Sequence, residues 1–380
     1  MRATRLFKKF FESEKSSGLT LIACTILSLI VTNSGFGTSY LSFFQTHIFD
    51  NSLVHWINDG LMTIFFLLIG LELEREIYQG ELSNIKDALL PTFAALGGML
   101  FPAGIFLLLN FGSPTQSGAG IPMATDIAFA LGILSLLGKS VPTSLKIFLT
   151  ALAVIDDLGA ILVIAIFYTD ALAWTNLLYV FLIFIVLFIC NRLKVRNLFP
   201  YLIGGIFMWY FMLNSGIHAT ITGILLAFVI PFGNGGKKST SYILQHYLHK
   251  PVAFFILPLF ALANTAIGLS AESIQTLSQN YSYGIGFGLL IGKPIGVFAL
   301  SYLVVKLKIC ELPKDLNWGL IFGVGILAGI GFTMSIFITL LAYENIEIIE
   351  NSKLAILLYS FIASLIGLMV LKINIKKTQK

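Results

Sequence analysis

Long apolar runs separated by short polar segments follow one another along the whole chain. A transmembrane helix needs roughly 20 mainly apolar residues to cross the hydrocarbon core of a bilayer. The runs lie near residues 17–33, 56–74, 88–110, 121–137, 143–168, 174–190, 198–213, 216–231, 251–268, 283–305, 317–343 and 352–371. The pattern predicts an all-α membrane protein of about 12 transmembrane helices, in a single integral membrane domain over residues 1–380.

Basic residues occur in every second segment between these runs. The segment before the first run, those after the even-numbered runs and the start of the fifth run contain all but two of the 24 Lys and Arg residues. Of the two exceptions, Lys353 falls on the other side and Lys293 falls inside a run. Because cytoplasmic loops are enriched in Lys and Arg, we expect both termini to be cytoplasmic.

Composition agrees with a membrane protein and excludes several other classes. Only 11% of the residues are charged, 57% are hydrophobic, and the mean hydropathy is +0.90. The net charge of +5 is spread over short loops, which argues against a nucleic acid partner. The three cysteines are widely spaced and indicate neither disulfides nor a metal site. A phosphate-binding loop is also missing from the sequence, so no cofactor or nucleotide is expected.

The run over residues 143–168 contains the most informative polar residues. Apart from Lys146 near its start, its only charges are the adjacent Asp156 and Asp157, which lie in its middle. One helix of this length spans a bilayer, so both carboxylates would lie near the midplane. Each acidic residue there costs about 2.5–3.5 kcal/mol. We therefore interpret the pair as the functional site.

The position of the two aspartates also indicates their chemistry. Adjacent helical residues point about 100° apart, so one carboxylate can face an aqueous cavity while the other faces a neighbouring helix. Burial and mutual repulsion both favour the protonated forms. Such carboxylates hold either a proton or a hard cation, and competition between the two couples proton flux to cation flux.

Two runs contain residues that interrupt helices. The fourth has Pro122 followed by the ionisable Asp126, and the eleventh has four glycines between positions 323 and 331. Interrupted helices at corresponding positions of two halves indicate an inverted-repeat transporter, with its site where the interruptions meet. The glycines are equally consistent with close helix packing.

Lys293 lies in the middle of the tenth run. A buried lysine must pair with a carboxylate or lose its proton, and Asp156 and Asp126 are the available partners. The pair could be a static charge balance, or the lysine could also carry a proton.

Seven motifs together resemble the NhaA family of bacterial sodium–proton antiporters, in the family's order. They are GLELEREIYQGEL at 70–82, IPMATDIAFALGILSLLG at 121–138, LTALAVIDDLGAILVIA at 149–165, SGIHATITG at 215–223, LPLFALAN at 257–264, IGKPIGV at 291–297 and GFTMSIFI at 331–338. The family is an example of the inverted-repeat transporters. The resemblance implies about a dozen helices, two of them interrupted and crossing near the midplane.

The resemblance also assigns roles to individual residues. It implies that Asp156 and Asp157 bind Na⁺, with Asp157 the direct ligand, and that Lys293 pairs with Asp156. Thr125 and Asp126 would lie at the interrupted helix, where Asp126 offsets helix-end dipoles. A group of residues linked to pH response would comprise Glu72, Arg75, Glu76, His218, His246 and His249. Gln245 stands where better-studied members have an acidic residue, a departure that concerns how this group responds to pH and not transport itself.

The function implied is electrogenic exchange of Na⁺, and of Li⁺, for more than one H⁺. The transporter would work by alternating access in the bacterial inner membrane, in contact with lipid and under control of pH. The segment 35–55 corresponds in position to the one through which family members form homodimers. The alternatives are an intramembrane aspartyl protease and a transporter of the same fold for another cation or an organic solute. The protease is disfavoured because its Gly-x-Gly motif before one aspartate is absent from the sequence.

Overall fold

The computed structural model describes residues 2–169, 172–269 and 275–378. In chain order, the α-helices of these residues are Arg2–Thr32, Gly37–Gln45, Leu53–His55, Met62–Gln79, Ile85–Asn110, Ile127–Ser135, Thr143–Phe167, Trp174–Arg192, Phe199–Leu213, Ile221–Val229, Thr240–Pro251, Leu257–Asn264, Asn280–Phe287, Lys293–Lys306, Trp318–Ala328, Phe332–Ala342 and Ile346–Thr378. Three π-helical segments, Trp56–Leu61, Val252–Ile256 and Gly288–Gly292, join pairs of these helices. Short 3₁₀ turns occur at Glu81–Ser83, Gln116–Met123, Gly138–Ser140 and Thr276–Ser278, and the two strands His47–Ile48 and Asn51–Ser52 form a hairpin.

Most of the helices are long and apolar enough to cross a membrane. In the described part of the chain nine have the required length and hydropathy, or ten if the bent pair Trp318–Ala328 and Phe332–Ala342 is one span. Two further apolar helices, Phe199–Leu213 and Ile221–Val229, are shorter. The prediction of an all-α, multi-pass membrane protein is confirmed. The count of about 12 and the inverted repeat stay predictions, as does the position of the termini, since residues 1, 379 and 380 lie outside the described residues.

The chain packs as two compact units. The first contains the residues up to Tyr40, Asn84–Ala160, and those from Asn264 onwards. The second contains Leu41–Ser83 and Ile161–Ala263. Every predicted ion-site residue belongs to the first unit, and every residue predicted to act in pH response belongs to the second. That residues 1–380 act as one antiporter domain stays a prediction.

Close helix packing in the first unit depends on glycine. Helix Ile85–Asn110 lies against helix Lys293–Lys306, and Gly97 and Gly296 meet where the two backbones approach. A Cβ added to either glycine would collide with the carbonyl oxygen of the other. Small residues allow such approach in membranes, where van der Waals packing is a main source of helix association. This contact sets the position of Lys293, which begins the second helix.

Two segments of the first unit lose helical structure and contact each other there. The backbone is extended at Ala124 and Asp126, between the 3₁₀ turn and the helix Ile127–Ser135. The second interruption follows Ala328, after which helix Phe332–Ala342 runs at 47° to the preceding helix. The N–H of Asp126 donates to the carbonyl oxygen of Ile330 at 2.7 Å. Backbone without helical bonds is tolerated at membrane depth only where protein or water satisfies it, and here each interruption contributes to satisfying the other.

The second unit has a core of aliphatic and sulfur-containing side chains around the fully buried Tyr201. Helix Met62–Gln79 packs against helix Ile221–Val229, and Gly223 lies against the backbone of Thr63 and Leu67. The predicted pH-response residues lie on or beside these helices.

Candidate ion-binding site

A fully buried ion pair joins Lys293 to Asp156. The Lys293 ammonium lies 2.9 Å from Oδ2 of Asp156, and both side chains are 0% exposed. The ammonium also donates to the carbonyl oxygen of Met123, in the segment before the first interruption. The π-helical segment Gly288–Gly292 ends immediately before the lysine. Such π-segments are frequently found at functional sites.

Thr125 connects this carboxylate to the second interruption. Its hydroxyl lies 2.7 Å from Oδ2 of Asp156 and 3.0 Å from the carbonyl oxygen of Ala328, the last residue of helix Trp318–Ala328. A hydroxyl has one hydrogen, so Thr125 donates to only one of these acceptors at a time. The hydroxyl can therefore respond to a change in the charge or position of Asp156.

Asp126 caps the starts of two helices. Its Oδ1 accepts from the N–H of Phe129, in the first turn of helix Ile127–Ser135. Its Oδ2 accepts from the N–H of Thr333, at 3.0 Å, and from the Thr333 hydroxyl, at 2.5 Å, at the start of helix Phe332–Ala342. Helix N-termini carry a partial positive charge, so an anion at this position stabilises both ends.

Asp157 follows Asp156 on the same helix and is 1% exposed. Since adjacent helical residues differ by about 100° in direction, its side chain has surroundings of its own. The structure thus brings together Thr125, Asp156 and Lys293 by direct contacts, and Asp126 and Asp157 are the next residues in the chain after Thr125 and Asp156. These groups supply carboxylate, hydroxyl and carbonyl oxygens, which are the ligands that hard cations prefer.

Several contacts of this site were not predicted from the sequence. Thr333 lies within one of the motifs quoted above, yet no spacing or charge pattern gave it a role. The carbonyl oxygen of Met123 is a backbone atom, and only the fold brings it to Lys293. Gly98 approaches Asp156 from helix Ile85–Asn110, and a glycine in an apolar run gives no chemical signal.

The second unit contains a polar cluster around Arg75. The Arg75 guanidinium donates to Oε1 of Gln245 at 2.9 Å and to the carbonyl oxygen of Gly235 at 3.0 Å, and lies 4.5 Å from the Tyr242 ring centroid. Gln245 also hydrogen bonds to the side chain of Glu72. The neutral side-chain amide of Gln245 therefore bridges Glu72 and Arg75.

The other predicted pH-response residues are divided between two places. Glu76 accepts a hydrogen bond from the N–H of Glu81 at 3.0 Å. His246 stacks on the Tyr242 ring of the Arg75 cluster, with centroids 6.1 Å apart, and His249 lies on the same helix. His218 instead acts electrostatically on Asp59, which is paired with His55 at 3.0 Å.

The chain is similar to known Na⁺/H⁺ antiporters over almost its whole length. The family described as Na⁺/H⁺ antiporter 1 matches residues 8–371. A Na⁺/H⁺ antiporter NhaA from Flavobacterium psychrophilum is 70% identical over 378 residues, covering 100% of this chain and 98% of the relative. The Na⁺/H⁺ antiporter NhaA 1 of Flavobacterium johnsoniae is 62% identical over 372 residues, covering 98% of each chain. The corresponding antiporter of Cytophaga hutchinsonii is 58% identical over 377 residues, covering 99% of this chain and 97% of the relative.

These matches extend over almost the whole chain, and the family consists of transporters rather than enzymes. The expectation that the chain is not an enzyme is thereby confirmed, as is the resemblance on which it rested. The chain belongs to the Na⁺/H⁺ antiporter 1 family.

Proposed function

We propose that this protein exchanges Na⁺, and Li⁺, for more than one H⁺ across the bacterial inner membrane by alternating access. The observation that carries the proposal is the fully buried pair of Lys293 and Asp156, which is joined to an interrupted helix through Thr125. Relatives that bear the name Na⁺/H⁺ antiporter support the choice of ions. Na⁺ and H⁺ are the substrates, and no resident cofactor takes part.

Competition for carboxylate oxygens couples the two ions. Na⁺ takes the place of a proton at Asp157, and proton return releases it, so one site serves both ions in turn. The neighbouring carboxylate of Asp156 lies within the same helical turn and contributes its oxygens as Na⁺ arrives. In this scheme Asp156 turns away from Lys293 and towards the cation.

Lys293 then accounts for the second proton. Once Asp156 leaves, the ammonium is a desolvated cation without its counter-ion, and losing a proton is the favourable outcome. In each cycle one Na⁺ leaves the cell and two protons enter it, one carried by Asp157 and one by Lys293. Each cycle therefore moves one net positive charge inward, and the membrane potential drives it by about 2.3 kcal/mol per 100 mV.

The two interruptions give this site its capacity to move. Asp126 offsets the partial charges of two helix starts, so the helices Ile127–Ser135 and Phe332–Ala342 can shift together without exposing an unpaired dipole. The Thr125 hydroxyl contacts both Asp156 and the end of helix Trp318–Ala328. We assign the alternation of access to the crossing of these segments, as in inverted-repeat transporters.

The Arg75 cluster is our proposed site of pH control. Besides Glu72 and Arg75, we include Glu76, His246 and His249, which lie on the same two helices as Arg75 and Gln245. His218, which lies with Asp59 and His55, would act separately. Protonation changes the charge of each cluster and biases the conformation of the helices that hold it.

A second copy of this chain is the proposed partner, and lipid is the surrounding medium. The hairpin His47–Ser52 has only two strands, so its outer edges present backbone groups that can pair with another strand. Ile48 and Phe49 at its turn are 45% and 88% exposed. Edge-to-edge pairing of two hairpins satisfies these groups and covers the apolar side chains.

Purified protein in sealed vesicles with a trapped pH dye tests the exchange. A Na⁺ gradient is expected to drive proton movement in the opposite direction, and Li⁺ is expected to substitute for Na⁺. Parallel assays with K⁺, Ca²⁺ and choline identify a transporter of another solute. Proton movement with one of those solutes, but not with Na⁺, would contradict the proposal.

A further inference from the structure

An ion pair lies at the start of the span that also carries the Arg75 cluster. Nδ1 of His55 is 3.0 Å from Oδ2 of Asp59, one helical turn later in the chain. The two side chains are 37% and 19% exposed, so solvent reaches the histidine while most of the carboxylate is covered. Because a histidine changes its charge between about pH 5 and 8, this pair depends on the pH of the compartment at its end of the span.

A second histidine acts on the same carboxylate from another element. His218 lies in the turn before helix Ile221–Val229 and interacts electrostatically with Asp59. Within the described residues, His55 and His218 are the titratable or charged groups that act on Asp59. When both histidines are protonated, the carboxylate is attracted to its own helix and to that turn. When both are neutral, a mostly covered carboxylate loses its positive partners, which is unfavourable.

The backbone of Asp59 also connects several elements. Its carbonyl oxygen accepts hydrogen bonds from the Thr63 hydroxyl and, at 3.3 Å, from the indole N–H of Trp209 on helix Phe199–Leu213. Asp59 itself belongs to the π-helical segment Trp56–Leu61, a kind of segment that is frequently found at functional sites. A change of charge around this side chain can therefore move the π-helical segment relative to the elements that contact it.

This ion pair and the Arg75 cluster lie at opposite ends of one span. The helical stretch Leu53–Gln79 is long and apolar enough to cross a membrane. The distance from Asp59 to Arg75 along it is about 24 Å at 1.5 Å per residue, most of the thickness of a hydrocarbon core. From the distribution of basic residues we expect the Arg75 end to be cytoplasmic, so the Asp59 end faces the outside of the cell.

We propose that His55, Asp59 and His218 form a latch that responds to the pH outside the cell. At acidic external pH both histidines are protonated and hold the carboxylate, so the external ends of the elements around Asp59 stay together. At alkaline external pH the histidines are neutral and the latch loosens, which speeds opening towards the outside. The effect on transport rests on the exchange proposed above, whereas the titration of the latch does not.

Fluorescence of Trp209 tests the latch without any transport. The tryptophans of the chain are Trp56, Trp174, Trp209 and Trp318. Changing the other three to Phe leaves Trp209, whose indole contacts Asp59, as the only reporter. The variant is placed in sealed vesicles in one orientation, and the pH is changed on one side at a time. We expect its emission to change as the external pH goes from about 5 to 8, and to stay constant when only the internal pH changes.

Substitutions in this Trp209 variant identify the groups responsible. His55→Gln and His218→Gln should each lose at least half of the response, because glutamine is polar but cannot become charged. Asp59→Asn should lose all of it. His47→Gln, at an exposed histidine of the hairpin, is the matched control and should respond like the parent variant.

The rate of Na⁺-driven proton movement, at fixed internal pH, measures the consequence in the otherwise unchanged protein. At an external pH of about 6 we expect His55→Gln to be about two- to fivefold faster than wild type, the range that loss of a partly exposed ion pair allows. At an external pH of about 8 the two rates should be equal, because the latch is open in both. Comparing the two proteins at the same external pH removes the effect of the proton as a substrate.

A Trp209 signal that ignores external pH, or that responds equally in His55→Gln and in the parent, would overturn the proposal. Should the Trp209 variant not fold, the rates decide, and equal rates of His55→Gln and wild type at both external pH values would overturn it. A Trp209 response without Na⁺-driven proton movement would instead contradict the exchange, so the two failures are distinguishable.

Discussion

Thr333 donates two hydrogen bonds to a single oxygen of Asp126, from its backbone N–H at 3.0 Å and from its hydroxyl at 2.5 Å. The two residues belong to the two interrupted segments. One carboxylate therefore ties together two stretches of backbone that lack continuous helical hydrogen bonds. The same carboxylate caps the helix that begins at Ile127.

Thr333→Val is expected to lower the free energy of unfolding by about 1.5–3 kcal/mol, the range for hydrogen bonds to a charged group. The backbone bond to Asp126 remains, so the fold should persist. Thermal unfolding of the purified protein in detergent measures the change. Thr339→Val is the matched control, because Thr339 is buried on the same helix but donates to the carbonyl oxygen of Ser335. Equal losses of stability in Thr333→Val and Thr339→Val would contradict a special role of the contact with Asp126.

Asp157→Asn should abolish Na⁺ binding while the protein still inserts and folds. The amide keeps the shape of the side chain but removes the charge and adds an N–H₂ group, which cannot coordinate a cation. Isothermal titration of Na⁺ into the purified protein measures binding, and size-exclusion chromatography reports folding. Asp87→Asn, at an exposed acid in the first turn of helix Ile85–Asn110, is the control and should bind normally. Na⁺ binding by Asp157→Asn equal to that of the control would refute the assignment.

Exchange by the wild type should respond to membrane potential, and Lys293→Ala should reduce that response. The lysine carries the second proton in our scheme, so its loss makes the exchange of one H⁺ for one Na⁺ electrically silent. Vesicles clamped with valinomycin and K⁺ measure the rate at set potentials. Lys306→Ala, at an exposed lysine on the same helix, should respond like wild type.

Two results of this experiment would count against the scheme. A wild-type rate that is the same at all potentials excludes electrogenic exchange. A Lys293→Ala rate that follows potential as steeply as wild type makes the lysine a static counter-ion and leaves Asp156 as the second proton carrier.

Gln245→Glu should move the onset of activity to higher pH. The substitution places a second carboxylate between Glu72 and Arg75. Two adjacent carboxylates repel, so one of them holds its proton to higher pH than an isolated acid. If activation requires loss of that proton, the pH at which activity begins rises together with the pH at which the proton is lost. The Na⁺-driven rate at a series of pH values measures the shift.

Gln79→Glu is the control for this prediction, because Gln79 is exposed on the helix of Glu72 and Arg75 and donates to the carbonyl oxygen of Asn234. Matching profiles for wild type and Gln245→Glu would mean that the Arg75 cluster does not set the pH response. Competition between H⁺ and Na⁺ at the aspartates would then be its source.

The all-α membrane architecture and the choice of candidate ion-site residues could be predicted because each depends on local properties of the chain. Apolar runs long enough to span a bilayer can satisfy their backbone only as helices or closed barrels, and helical length was visible in the sequence. Asp156, Asp157 and Lys293 stood out because charge within such a run is costly wherever the helix packs. Pro122 and the glycines between 323 and 331 marked where helices break, since both residue types disturb helical backbone.

Only the tertiary structure decided which of these side chains contact one another. The sequence left both Asp156 and Asp126 open as partners of Lys293. In the fold Lys293 pairs with Asp156, because the helix that meets the lysine helix at Gly97 and Gly296 also approaches Asp156. Asp126 instead meets Thr333, more than 200 residues away along the chain. Gln245 was recognisable as a departure from the family pattern, yet its bridge between Glu72 and Arg75 depends on how two distant helices pack. Charge and apolarity belong to single residues and can be read in order, whereas these contacts arise from the packing of helices, which no local pattern contains.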